Sequence, residues 1–192
     1  MDAQEALKKI DELEKIPLAG PKTEPESDNR RSLVEKILSQ TLTEKDVPQE
    51  MYQAFIRSVL TNVPFSYSFT IMKGELTVTF TEPKGDMAKQ YAKLRSSLGA
   101  AQLETVSQLA ILSHLGSITS KKMAAPLYVR PEDVLNDCVA LETEAVEDKI
   151  GSVYADFISE RGESLSRIIP SLWLILSGLW NFMLQKEIPQ DF

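Results

Sequence analysis

Apolar and polar residues alternate strictly along one stretch of this chain, FSYSFTIMKGELTVTF from Phe65 to Phe80. Alternation with a period of two is the signature of a half-buried strand. A two-residue turn at Lys73-Gly74 pairs Ile71 with Leu76, Phe69 with Val78 and Tyr67 with Phe80, which puts every large apolar side chain on one face. The other face is then Ser68 with Thr79 and Thr70 with Thr77. A slip of one residue would mix the two faces, so the register is strongly specified. An isolated hairpin is marginal in water. Its apolar face therefore needs cover, from neighbouring helices or from further strands.

The rest of the chain follows the helical period. Ala3, Leu7, Ile10 and Leu13 among charged neighbours predict an amphipathic helix over residues 1–16. The segment PLAGPKTEPESDNRR, residues 17–31, has the composition of a flexible linker, so this helix reads as tethered. A single domain is expected over 32–192. Ser32 and Glu35 have the spacing of a capping box at its first helix. Pro48 suits the first turn of the next, where Met51, Tyr52, Phe55, Ile56, Val59 and Leu60 predict a wide buried stripe ended by Asn62 to Pro64.

After the hairpin, Asp86 is placed to cap a helix with Met87, Tyr91, Leu94 and Leu98 inward, the expected cover for the sheet face. Leu103, Val106, Leu109, Ala110 and Ile111 predict another helix ending near Gly116, with SITSKKMAAP as a loop. Pro131 opens a helix carrying Val134, Leu135, Cys138, Leu141, Ala145 and Val146, and a shorter helix covers Val153 to Ile158. The last helix is expected to start at Pro170. No fixed-period repeat or sustained heptad is present. The predicted class is α+β, mostly helical, with one antiparallel hairpin at about 65–81 and the tethered N-terminal helix.

Charge sharpens the picture. The formal net charge of −7 is concentrated between Glu132 and Glu163, where ten acidic residues face only Lys149 and Arg161. Such a stripe repels phosphate, which argues against general nucleic-acid binding and suggests a basic partner for that face. The N-terminus lacks a secretory pattern, so the chain is not expected to be secreted. The most apolar run, LWLILSGLWNFML from Leu172 to Leu184, has 13 residues, against the roughly 20 of a membrane span. It reads as a buried helix.

Candidate chemistry is sparse. One cysteine, Cys138, and one histidine, His114, leave few metal ligands and no intrachain disulfide. Glu142, Glu144, Glu147 and Asp148 do not match a calcium loop, and read as a solvated helix face. The glycines are scattered singly, without the phosphate-cradling patterns. His114 has Ser113 beside it in sequence but on another side of the helix, a poor arrangement for nucleophilic catalysis. The expectation is a non-enzymatic protein without cofactor or metal, set against a small hydrolase using His114 or the acidic cluster.

Partner contacts are the remaining chemistry. The last helix is apolar nearly all round, which either several neighbours bury or a partner covers, with Trp173, Trp180 and Phe182 as anchors. Leu7, Ile10 and Leu13 offer a second contact, on a helix whose tether lets it reach a groove on another subunit.

The hairpin SFTIMKGELTVTF, the short helical body after it and the aromatic end WNFMLQKEIPQDF, together roughly half of the chain, resemble small tailed-bacteriophage morphogenesis proteins. These are the tail assembly chaperones and minor tail or baseplate components. The resemblance implies a role in tail or baseplate assembly or in the virion. It further implies contacts with other phage structural proteins or with a second copy, and a place in the host cytoplasm during assembly or in the finished particle. No functional residue carries over, because the group has no catalytic signature. A small cellular adaptor is the alternative reading.

Overall fold

A computed structural model describes residues 25–99, 102–122, 138, 143–161 and 163–187. The predicted amphipathic helix, with Leu7, Ile10 and Leu13, lies outside the described residues. The fold is α+β and mostly helical. The described helices are α1 (Pro25–Leu38), α2 (Gln49–Thr61), α3 (Gly85–Ser97), α4 (Leu103–His114), α5 (Thr143–Arg161) and α6 (Glu163–Glu187), with strands β1 (Ser66–Ile71), β2 (Leu76–Thr81) and β3 (Leu115–Ser120). A short 3-10 turn at Glu44–Asp46 precedes α2.

The hairpin has the register that its pattern demands: Tyr67 faces Phe80, Phe69 faces Val78 and Ile71 faces Leu76. On the hydroxyl face, Ser68 Oγ and Thr79 Oγ1 are 2.8 Å apart, and Ser66 Oγ and Thr81 Oγ1 2.9 Å. The connection is longer than expected. Four residues, Met72 to Glu75, join the strands through two overlapping turns, Gly74 N–H to Ile71 O and Glu75 N–H to Met72 O. Met72, Lys73 and Gly74 all have positive φ, a left-handed path that only the glycine adopts without cost.

The sheet has a third strand where a helix end and a loop were expected. α4 passes directly into β3, with Leu115 already extended. β3 pairs antiparallel with β2, so the strand order is β1-β2-β3 and the hydroxyl edge of β2 is filled from within the chain. Phe80 faces Leu115 and Thr79 faces Ser117, leaving Gly116 as the extra residue of a bulge. A side chain there would meet Thr81 Oγ1 at 3.1 Å and Thr79 O at 3.4 Å, so glycine lets the two strands close.

The contacts divide the chain into two compact units. One comprises Met1–Phe55 with Ser164–Phe192, and the other Ile56–Glu163. In the first unit, α1 begins at Pro25, so the last seven residues of the expected linker are helical, with proline at the position that tolerates it. Ser32 is therefore mid-helix and caps nothing, and Glu35 accepts instead from Arg31 Nε at 3.4 Å. α6 begins at Glu163 and runs through Pro170, which was expected to start it. The proline forfeits one backbone bond, and nearby Ser171 Oγ donates to Arg167 O at 3.1 Å. α1 and α6 meet at Gly178, where a built Cβ would lie 2.6 Å from Ile37 Cγ2.

In the second unit, β2 is the centre of the core, with Val78 and Phe80 at 0% and 1% exposure beside Leu115 and Ile118. α4 packs against α3 and α5, and Leu94 and Leu98 are the most buried of the α3 stripe, with Met87 and Tyr91 half-buried. α3 begins at Gly85, so Asp86 lies inside its first turn and accepts from Lys89 Nζ at 3.0 Å rather than capping. α5 is continuous across Gly151, joining what the pattern split into two helices.

Candidate interaction surfaces and the buried histidine

α2 is amphipathic, but its apolar sector is wider than one buried face. Met51 and Phe55 are fully buried, whereas Tyr52 is 40% exposed, Val59 64% and Leu60 78%. Val63, two residues past the end of α2, is 44% exposed. The expected wide buried stripe is thus corrected: Met51 and Phe55 form core, and the adjacent Val59 and Leu60 form an exposed aliphatic ridge within the second unit. The reason is angular. Six apolar positions spanning both sides of a helix need cover on two sides, and the described fold supplies one. That width is the sequence signal for a surface.

The predicted anchors on α6 are divided between roles. Ile169, Leu172, Ile175, Leu176, Leu179 and Met183 are buried, a stripe at helical spacing that faces the chain's own core. Trp173, Trp180 and Phe182 lie beside that stripe, half-buried. The Trp180 ring meets Phe55 edge-on, with centroids 5.2 Å apart and planes at 89°, so it is engaged within its own unit. Lys186 Nζ lies 5.8 Å from the Phe182 ring centre and 2.9 Å from Glu44, and it holds the Glu44 carboxyl below its ordinary value. The structure brings Trp180, Phe55 and the buried stripe together.

The helix is also longer than the run of 13 apolar residues on which membrane crossing was set aside. Leu165–Lys186, 22 residues, is long and apolar enough to cross a membrane by length and composition. Its buried stripe is equally the mark of a core helix.

His114 is neither on an exposed helix end nor joined to Ser113. Its Nδ1–H donates to Ala110 O at 2.8 Å, since a carbonyl can only accept, and its ring meets Tyr91 edge-on at 5.0 Å. Ser113 Oγ donates instead to Leu109 O at 2.6 Å and is buried. Burial pushes the His114 pKa down from 6.5 to about 4, with the nearby Arg95 charge acting the same way against the Ala110 contact. Below 6.5 the unfolded chain takes up the proton first. Stability is therefore expected to fall as pH drops from about 6.5 towards 4, by up to about 1.4 kcal/mol per pH unit. Because the chain has one histidine, its ring C–H resonance reads this directly by NMR. Titration near 4 is expected, and an ordinary midpoint near 6.5 would show that the ring is solvated.

The remaining polar groups are mostly committed to each other. Asp46 accepts from Thr43 N–H at 2.8 Å and Thr43 Oγ1 at 2.7 Å and pairs with Lys36. Lys36 and these bonds hold its carboxyl down at about 2. Lys36 and Asp46 also line a cavity of about 330 Å³ with Asn29, Ser32, Leu33, Lys45 and Pro48. On the acidic face, Glu147 accepts from Gln102 Nε2 at 2.8 Å and from Thr105 Oγ1 at 3.3 Å, so one of its carboxylates joins α4 to α5 rather than waiting for a partner. Cys138 is buried. Among the described residues, no three of His, Cys, Asp and Glu come together as a metal site.

No family model, curated protein or solved structure matches the chain.

Proposed function

We propose that this chain is a non-enzymatic binding protein that acts through protein–protein contacts, in the setting that its sequence resemblance implies, the assembly of a bacteriophage tail or baseplate or the virion itself. The observation that carries the binding role is the ridge of Val59 and Leu60 at the end of α2, with Leu60 at 78% exposure. Neighbouring large aliphatic side chains held in water mark a contact site when they cluster, whereas scattered ones do not. The tailed-phage setting rests on the hairpin, the helical body and the aromatic C-terminal segment.

The test is co-expression with tail and baseplate proteins, followed by purification and light scattering. A stable complex with a phage structural protein is expected, and Leu60→Glu is expected to weaken it by about tenfold or more while leaving the thermal midpoint within a few degrees, because an exposed position contributes little to folding. A chain that binds none of these proteins, or a Leu60→Glu variant that binds as well as the parent, would overturn the reading.

A further inference from the structure

We infer that the outer edge of β1 is a self-association surface, on which β1 of a second copy adds antiparallel to give one continuous six-stranded sheet. The inference deepens the binding reading by naming a partner, and it uses a different surface from the α2 ridge.

An edge strand offers unpaired N–H and C=O groups, and proteins that remain monomeric guard such edges with charge, proline, a bulge or strong twist. The two edges of this sheet are treated differently. β3 carries the bulge at Gly116 and runs straight into exposed Lys121 and Lys122. β1 reads SYSFTI, with no charge and no proline, and it pairs with β2 in unbroken register over all six residues. Among the described residues, no strand lies beyond it.

The backbone groups point the right way. Phe65 O accepts from Glu82 N–H at 2.8 Å, and alternation along the strand then turns the groups of Ser66, Ser68 and Thr70 outward. These three residues are exposed.

The strand is also complementary to itself. With a two-fold axis at Ser68, Ser66 faces Thr70 of the partner subunit and Tyr67 faces Phe69 of the partner subunit. Hydroxyls thus meet hydroxyls and aromatic rings meet aromatic rings, as already happens between β1 and β2. The Tyr67–Phe69 pairs occupy positions without mutual hydrogen bonds, where side chains approach most closely. Charge favours the same place. The strand lies outside the acidic segment 132–163 that carries the net charge, and it has no charged residue of its own, so no like charge on the strand opposes the contact. Such an isologous contact closes on itself as a dimer.

The full chain is to be followed by analytical ultracentrifugation from about 1 μM to about 1 mM, a range that covers weak edge contacts. A concentration-dependent dimer is expected. Ser68→Lys and Ser68→Glu, placed opposite their own copies across the axis, should each weaken it by at least tenfold. Mixing the two variants should restore it, because opposite charges then face each other. Leu60→Glu should leave the dimer intact. A parent chain that stays monomeric at about 1 mM, a dimer indifferent to either Ser68 variant, or a mixture that fails to recover would overturn the inference. None of these results touches the complex with phage proteins, which is read separately.

Discussion

Replacing Gly178 by valine is expected to destabilise the first unit by about 3 kcal/mol or more. A residue without a side chain in the middle of α6 is costly in itself, since glycine gives up about 1 kcal/mol of helix propensity relative to alanine. The position explains it: a Cβ would lie 2.6 Å from Ile37 Cγ2 and 2.9 Å from both Ile37 Cγ1 and Cδ1. Ile37 is β-branched and stiff, so it cannot swing aside without leaving its rotamer. Valine adds two methyl groups to that collision. The measurement is built in, because both tryptophans, Trp173 and Trp180, lie on α6, and their fluorescence reports the unfolding of this unit. Ile37→Ala in the same chain should return about 1 kcal/mol or more of the loss, since it removes the atoms being struck. A valine variant as stable as the parent, or two substitutions whose effects simply add, would show that α1 and α6 do not meet there.

How far the sequence disclosed the structure depends on the element. The hairpin was legible because period two admits one register: moving Phe69 or Val78 by one residue would place it among the threonines. β3 was hidden by its own bulge. Leu115 and Ile118 both face the core, yet they stand three apart because Gly116 is an extra residue, and apolar positions three apart do not read as a strand. Pro25 and Pro170 misled in a related way. Proline marks the first turn of α1, but inside α6 it is carried by the packing of Ile169 and Leu172 on either side, and tertiary burial outweighs a local preference. At α2 the composition marks the apolar positions but not what covers them. Val59 and Leu60 are as apolar as Met51 and Phe55, and nothing local distinguishes the two pairs. What separates them is how many neighbours the fold brings to each side of the helix, a property of contacts distant in sequence. His114 shows the same limit, since its lowered pKa comes from burial and from the charge of Arg95, and the ring packed against it, Tyr91, is more than twenty positions away.

Ile118→Asp is expected to be the most damaging single change in the second unit, and it tests the strand that the pattern did not reveal. Ile118 is 1% exposed and faces Val78, which is fully buried at the centre of the sheet. Loss of its hydrocarbon alone costs about 2 to 5 kcal/mol, and the carboxylate adds a desolvation penalty. Total stabilities are of order 5 to 15 kcal/mol, so the sheet is expected to open or unfold. Thr119, the next residue, points to the hydroxyl face opposite Thr77 and is half-exposed. Thr119→Asp should therefore cost about 1 kcal/mol or less. The buried carboxyl would have its pKa raised, so the damage from Ile118→Asp should be smallest in acid and grow as pH rises through the carboxylate range, whereas Ile118→Asn should show no such slope. Amide exchange across Leu76–Thr81 reads the result in this unit alone. Equal damage at positions 118 and 119 would mean that the segment does not alternate as a strand against β2. An unchanged exchange rate in both variants would mean that it does not pair with β2 at all, in which case the hydroxyl edge of β2 would need another partner.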